Sequence, residues 1–292
     1  MEVRKLLKGK GRSFLLVLVL LAVLALVGCG SPETKVSADE VVQDALAAQA
    51  KVSSSSAEIT IVATAKGAIG ETDLDVSLDG TVTGDMDWAN KKMTAHLGMN
   101  VGFNGMTLPV SADMYAFDNI TYMQLTMMGN TDNWTKGSLP MDFWFTQENA
   151  QFIDNLLQSS EAESLPDDKV GGVNCYVLKL TPDIAAIQQM FSQQSPDADE
   201  MPDMASLISN LSIKVWAAKG TSYVTKIEMG LSANIPSEVL GGTAGGEGLD
   251  VNLTITMQFS KFNDSVSIQL PAEAQNAAEG GFELPFDVSS FF

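Results

Sequence analysis

The chain has 292 residues, and its 36 acidic residues against 17 basic ones give a formal net charge of −19. This charge repels phosphate groups, so it excludes a nucleic-acid partner and disfavours binding of the folded part to an anionic membrane surface. Hydrophobic residues make up 45% of the chain, which excludes an intrinsically disordered protein.

The first 28 residues have the pattern of a secretory signal peptide. Five basic residues lie between Arg4 and Arg12, and an uncharged run follows from Phe14 to Gly28. At about 15 residues, this run is shorter than the roughly 20 residues of a membrane-spanning helix. We therefore expect residues 1–28 to be removed on export, and an uncleaved signal anchor is the alternative.

The segment Leu26-Val27-Gly28-Cys29 resembles the bacterial lipobox, although Val27 stands where that signal usually has Ala or Ser. The resemblance implies that the Cys29 thiol receives a diacylglyceryl group and that Cys29 becomes the first residue. Stable anchoring takes more than one acyl chain, and a diacylated cysteine supplies two. We therefore expect an extracytoplasmic protein that is lipid-anchored to the bacterial cell membrane, with residues 29–36 as the tether. The exported chain then carries 12 basic and 35 acidic residues, a charge of −23.

A helix and a long β-meander follow the tether. Ser37 and Glu40 form a capping box, and Val42, Ala45 and Leu46 follow at helical spacing up to the serine run 53–56. Alternation of apolar and polar residues then predicts antiparallel strands. These predicted strands cover 57–65, 72–80, 92–103, 106–115 and 120–128. Asn104-Gly105 is a strong hairpin signal because both residues tolerate positive φ.

The second half combines predicted helices with further strands. Helices are expected at 147–158, capped by Thr146, and at 184–194, with a helical turn at 205–210. Strands are expected at 170–180, 211–218, 221–233, 250–262 and 265–271. The glycine-rich segment 241–248 predicts a flexible loop.

This element order resembles the LppX/LprG-type lipoproteins and the wider group of the LolA carrier. Local similarities are the pieces TYMQL (121–125) and NWTKGSLP (133–140), KVWAAKGTSYVTKIEM (214–229) and FNDSVSIQLP (262–271). The resemblance implies a mainly β, α+β fold: a curved antiparallel half-barrel sheet with helices plugging its concave side. It also implies a lipid-binding domain over 37–271, and the sequence after Pro271 suggests a flexible tail over 272–292.

Catalytic and metal sites are not expected. After lipidation of Cys29, Cys175 is the remaining thiol and lies in a strand pattern, and His96 is the single histidine. A Cys/His dyad, a Ser-His-Asp triad or a zinc cluster therefore has too few members, and we expect no enzyme, no metal and no other cofactor. A weak cation site is the alternative for two acidic groups, Asp73 with Asp75 and Asp79, and residues 197–203.

The apolar side chains of the meander are the candidate binding site. Several are methionines, whose flexible side chains suit varied partners. An ordinary helix-packed core fits the same pattern, but the resemblance favours a hydrophobic cavity for acyl chains. The candidate cavity residues are Ile59, Ile61, Leu74, Val76, Leu78, Met93, Leu97, Met99, Val101 and Met114. The expected function is to carry a lipid or acylated ligand; the alternative is a tethered sensor or interaction module with an envelope protein partner and no transport activity.

Overall fold

The computed structural model describes residues 36–69, 72–118, 120–137, 157–158, 160–182, 204–240 and 247–280. The elements described below belong to the unit that runs from Ala38 to Phe292. Within the described ranges, no helix is long and apolar enough to cross a bilayer. The signal peptide, Cys29, the helix expected at 184–194, and the helix expected at 147–158 except for residues 157–158, lie outside these ranges.

Thirteen strands in the described residues form one sheet. Their bounds are β1 Ser54–Ile69, β2 Thr72–Asp87, β3 Lys92–Phe103, β4 Met106–Phe117, β5 Ile120–Met127, β6 Asn130–Thr131, β7 Thr135–Gly137, β8 Ser160–Val170, β9 Val173–Pro182, β10 Ile208–Ala218, β11 Val224–Ile235, β12 Leu249–Ser260 and β13 Ala278–Glu279. Two α-helices are described, α1 Ala38–Gln49 and α2 Met204–Leu207.

The sheet is curved and does not close, with the strand order β13-β7-β5-β4-β3-β2-β1-β12-β11-β10-β9-β8 and with β6 beside β5. All its strand pairs are antiparallel except the short parallel pair of β13 and β7. This confirms the predicted antiparallel half-barrel. Asn104 and Gly105 have φ of 46° and 84° and join β3 to β4, as the hairpin signal predicts.

Helix α1 begins and ends close to its predicted limits. Its apolar stripe of Val41, Val42, Ala45 and Ala48 is buried, and the helix contacts β8 near one edge of the sheet. The serine run does not simply end this helix, because Ser54 and Ser55 are buried and already belong to β1. That helices plug the concave side of the sheet stays a prediction.

Strand β8 was not predicted from the sequence. Its residues, SEAESLPDDKV, lack apolar alternation and include Pro166, where the pairing with β9 shifts register. Proline has no N–H to donate, so it is tolerated at an edge strand or a bulge. Edge position and charged side chains also protect β8 from pairing with another chain.

Two expectations at the C-terminal end need revision. The strand predicted at 265–271 is wrong: these residues form no strand, and Ile268 alone of the alternating apolar residues is buried. Strand β12, which precedes these residues in the chain, already pairs with β1 on one side and with β11 on the other. Neither edge of β12 can therefore pair with a further strand. The chain beyond the predicted domain end at 271 continues as a 3₁₀ helix at Ala272–Asn276 and then as β13.

Candidate functional site

Strand register places the apolar side chains of the meander on one side of the sheet. Residues that face each other in adjacent strands point to the same side. Ile59 faces Val82, which faces Leu97, and the row continues to Ala112 and Leu125. The next row runs through Ile61, Gly80, Met99, Val110 and Met127. We call this side of β12, β1, β2, β3, β4 and β5 the apolar face.

The ten predicted cavity residues all lie on the apolar face. They occupy alternate positions of β1, β2, β3 and β4, and the register gives them the same orientation. Ile59, Leu74 and Met93 are buried, at 9%, 6% and 3% exposure. The other seven are half-buried, namely Ile61, Val76, Leu78, Leu97, Met99, Val101 and Met114.

Two of the ten residues belong to a packed cluster. Met93 packs with Met86 and Ala116, and Met114 and Trp88 lie against this cluster. The cluster lies near the turn that joins β2 to β3, where Trp88 donates its backbone N–H to the Ser53 carbonyl at 2.9 Å. Packing of this kind favours a structural role for Met93 and Met114 rather than contact with a ligand.

Burial of the same face changes across the sheet. On β9 and β10 its central side chains are almost fully buried, with Leu178, Leu180 and Ile213 at no more than 2% exposure, whereas Met229 and Leu231 of β11 are half-buried. Helix α1 contacts β8 at this side of the sheet. From β11 to β3 most side chains of the rows around Leu97, Met99 and Val101 are half-buried, whereas Ala112 and Val110, which continue two of these rows on β4, are buried at 6% and 5%. The face is therefore more open between β11 and β3 than at β9, β10 or β4.

The more open part, which we call the open patch, consists of Ile61, Val76, Leu78, Leu97, Met99 and Val101 with the β12 residues Val251, Leu253 and Ile255 that continue their rows. Five residues of a strand span about 13 Å, and four neighbouring strands span about 14 Å, so the diagonal of the open patch is about 19 Å. The hydrocarbon of one bilayer leaflet is about 15 Å thick. The open patch is thus large enough to lie along an acyl chain.

An enclosed space on the apolar face is much smaller than a lipid. It has a volume of about 10 Å³ and lies among small side chains and Ile59, Val82 and Met86. Such a volume holds about one water molecule. An acyl chain does not fit into this space, so among the described residues the open patch is the candidate site.

The opposite side of the sheet is polar. Glu58 faces Gln258 and Thr83, and Ser56 donates a hydrogen bond to Asp85. An open cavity of about 840 Å³ lies on this side, near the turns that join β8 to β9 and β10 to β11, and Tyr223 and Phe262 stack at 4.6 Å on its wall. The apolar and charged residues are thus separated onto two faces.

The polar side of the sheet also carries the two residues that the sequence analysis considered for catalysis, His96 and Cys175. His96 Nδ1 lies 2.7 Å from Asp113 Oδ1, and the two side chains are 60% and 51% exposed. Cys175 is fully buried, with Sγ 3.4 Å from Thr225 Oγ1, as its strand pattern predicted. Among the described residues, no group of three or more His, Cys, Asp or Glu could hold a metal ion. Residues 197–203 of the acidic loop lie outside them.

Sequence reasoning did not assign β11 and β12 to the candidate site. Val251, Leu253 and Ile255 face Ala65, Ala63 and Ile61 across the β1–β12 pair. Met229 and Leu231 of β11 extend the same rows. The alternation of DVNLTITMQFSKF predicted the strand, but alternation does not reveal which strand is its neighbour.

Comparison with known proteins places the chain in one family of unknown function. The model of that family, described as "Family of unknown function (DUF6612)", matches residues 37–279. No curated protein matches the sequence.

Solved structures similar to this chain include members of the group that the sequence resembles. LprF from Mycobacterium bovis is 14% identical, covers 80% of this chain and 97% of its own, and has a TM-score of 0.42. The lipoprotein LppX of Mycobacterium tuberculosis is 12% identical, with 79% and 97% coverage and a TM-score of 0.36. A LolA superfamily protein from Nitrosomonas europaea is 11% identical, with 81% and 96% coverage and a TM-score of 0.23. Similarity at this level carries no argument about ligands.

Proposed function

Since the chain belongs to the DUF6612 family, whose function is unknown, we propose its function from its own residues. It is an extracytoplasmic lipoprotein, anchored through lipidated Cys29, that binds acyl chains of a lipid or acylated ligand on the open patch and carries them without catalysis. The observation that supports this most strongly is the continuous apolar face, which is almost fully buried at Leu178, Leu180 and Ile213 of β9 and β10 but half-buried at the open patch.

The chemistry of the open patch suits a flexible apolar ligand. The alternate positions of β1, β2 and β3 that form it include no charged residue and no hydroxyl group. Each methylene moved from water to such a surface contributes about 0.8 kcal/mol, and no polar group of the protein has to find a partner. Met99 can adapt its shape to different chains because its side chain is unbranched and flexible.

Charge separation supports the same proposal. Glu58, Asp79 and Asp85 lie on the polar side, where they keep the protein hydrated. Without a bound ligand, the exposed apolar face would promote aggregation. Exposed apolar patches on soluble domains usually mark an interaction site. An acyl chain is the ligand that matches the open patch, which is lined by apolar side chains.

The anchor is tested by replacing Cys29 with Ala. We expect Cys29→Ala to leave an unprocessed precursor or an unlipidated protein that no longer partitions with membranes, because its thiol is the acceptor of the diacylglyceryl group. Mass spectrometry of the mature protein and membrane fractionation measure this, with Cys175→Ala as the control that keeps the anchor. Unchanged mass and membrane attachment of Cys29→Ala would contradict the proposal.

Bound lipid is tested by extracting the purified protein with organic solvent and identifying what is released. A stoichiometric lipid or acylated ligand is the expected result. A protein that carries no lipid but captures an envelope protein would instead support a tethered sensor, and the carrier proposal would then be wrong.

A further inference from the structure

Two exposed methionines lie at neighbouring turns at one end of the sheet. Met106 follows the Asn104-Gly105 turn between β3 and β4, and Met128 follows β5; each is 69% exposed. The Met128 N–H donates to the Pro109 carbonyl at 3.2 Å. Pro109 is three residues from Met106 along β4. The two methionines are therefore about 10 Å apart along the strand direction. We call these two turns the methionine rim.

The rim continues the apolar face. Met106 faces Phe103 across the turn, and Phe103 faces Val76 of the open patch. Met127, directly before Met128, faces Val110 on the same side of the sheet. Met106 thus extends the apolar face to the end of the sheet, and Met128 lies in the neighbouring turn, directly after the last apolar-face residue of β5. A single exposed methionine needs no explanation, but two at adjacent turns beside an apolar face form a larger apolar surface.

Both turns are held in place by the neighbouring strands. Asn104 Oδ1 accepts a hydrogen bond from the Asp75 N–H at 2.8 Å, and the Asn104 N–H donates to the Asp75 carbonyl at 2.8 Å. At the other turn, Thr126 Oγ1 and Thr131 Oγ1 lie 2.9 Å apart. The methionines therefore extend from ordered turns.

Met128 adopts a backbone conformation that suits glycine better. Its φ is 52°, in the left-handed region that a Cβ atom disfavours. Met128 and Gly129, with φ of 52° and 79°, form a turn like that of Asn104 and Gly105, and an exposed apolar side chain occupies its first position.

The rim is also free of charge in a strongly acidic chain. Residues 97–112 and 120–131 include no Asp, Glu, Lys or Arg, whereas the whole chain has a net charge of −19. Asp75 and Asp73 of β2 are hydrogen-bonded through their backbones to Asn104 of the rim, and the Asp75 carboxylate is paired with Lys66 at 3.0 Å. Local lack of negative charge permits close approach to a lipid surface that the rest of the protein would repel.

We propose that the methionine rim docks the protein to a lipid bilayer, so that Met106 and Met128 enter the interfacial region and an acyl chain passes along the apolar face. This inference rests on the proposed function, because Cys29 anchorage keeps the domain near the bilayer. The tether of residues 29–36 spans at most about 28 Å when extended. The occupant is a neutral or weakly anionic lipid surface.

Docking is tested with the mature lipoprotein anchored in phosphatidylcholine vesicles. Met106→Cys and Met128→Cys each receive an environment-sensitive fluorophore, and Ile120→Cys, 48% exposed and at the other end of the meander, is the control. Cys175 is fully buried and does not compete for the label. We expect a blue shift and quenching by spin-labelled lipid for the two rim labels and neither effect for the control.

Transfer of lipid gives the second readout. Met106→Glu should slow transfer of a fluorescent phospholipid between vesicles about tenfold, whereas Ile120→Glu should leave the rate unchanged, and both should keep the same amount of bound lipid. Melting curves check that both variants fold. The inference would be overturned if spin-labelled lipid quenched the rim and control labels equally. It would also be overturned if the rim labels were already shielded without vesicles, because a second copy of the protein then covers them. If the unmodified protein carries no bound lipid, the proposed function is contradicted. The docking inference is decided separately, by the quenching of the rim labels.

Discussion

The carboxylate of Asp168 has an unusual environment for an exposed edge strand. It accepts a hydrogen bond from the Lys169 backbone N–H at 2.7 Å and from Trp216 Nε1 at 3.1 Å. These bonds hold the pKa of Asp168 below its usual range, and the bond from the Lys169 N–H contributes more than the bond from Trp216. The charge of Lys226 also lowers this pKa, and partial desolvation opposes the three effects. Lys226 lies 4.3 Å from the centre of the Trp216 ring.

We predict that Asp168→Asn lowers the melting temperature near neutral pH and that its difference from the unmodified protein disappears in acid. A carboxylate with a lowered folded-state pKa stabilises the fold above its unfolded pKa, and this contribution is lost as the pH falls through the folded value. Asparagine keeps an acceptor for Trp216 but removes the charge. Melting curves between about pH 2.5 and pH 7 measure the effect; a difference that stays constant to the lowest pH would count against it.

Trp216 also explains why a residue-level prediction from the sequence was incomplete. The alternation of LSIKVWAA places Trp216 on the polar parity of β10, yet it is 5% exposed. It packs with Cys175 and Val177 in a cluster on that side of the sheet. The burial depends on β8, whose residues Leu165 and Val170 pack against the cluster, and β8 gave no strand signal.

The meander is the part of the fold that the sequence predicts best. Its strands are neighbours in the chain, so local alternation and the Asn104-Gly105 turn suffice to give their order and facing. β8 pairs with β9 because β9 is apolar on both faces, with Val177 and Leu178 at 4% and 1% exposure. The pairing of β1 with β12 joins residues about two hundred positions apart, and no short-range pattern encodes it.

Small residues mark a place where the strands of the meander pack closely. Gly84 faces Ala57 in β1 and Ala95 in β3, all on the apolar face. A Cβ atom on Gly84 would collide with the Thr94 carbonyl oxygen and lie 3.2 Å from the Ala95 Cα. At Gly98, on the other side of β3, a Cβ atom would meet nothing within 4 Å.

We predict opposite effects of alanine at these two positions. Gly84→Ala should lower the free energy of unfolding by about 1–3 kcal/mol, because the backbone has to shift to relieve the collision. Gly98→Ala should be neutral or stabilise by about 0.5–1 kcal/mol, since alanine loses less backbone entropy in a strand. Urea unfolding measures both, and equal changes would show that close packing at Gly84 does not shape the sheet.

At the scale of the whole molecule, the sequence predicted which residues share a face but not how they are covered. The ten candidate residues lie on one side, as alternation required, yet Met93 is closed within a packed cluster while Leu97 remains half-buried. Coverage depends on contacts between distant elements, such as α1 against β8, which periodicity does not encode. The sequence therefore predicted the side of the sheet on which the candidate residues lie better than it predicted their exposure.

The two faces of the sheet provide a matched pair of positions for testing lipid binding. Leu97 lies on the open patch and faces Val82 and Ala112. Thr81, adjacent to Val82, lies on the polar side, is exposed, and faces Thr60 and Gly98. A glutamate at either position has uncharged cross-strand neighbours, so the two variants differ mainly in the face that receives the charge.

Native mass spectrometry of lipid occupancy in Leu97→Glu and Thr81→Glu, beside circular dichroism melting, is the most direct test of lipid binding by the apolar face. The unmodified protein and Thr81→Glu should carry lipid, whereas Leu97→Glu should stay folded with a moderate loss of stability and lose about 90% or more of the lipid, because a carboxylate is costly to bury against hydrocarbon. Equal occupancy in both variants, or unfolding of Leu97→Glu together with an unmodified protein that carries no lipid, would contradict the account and make the apolar face an ordinary core.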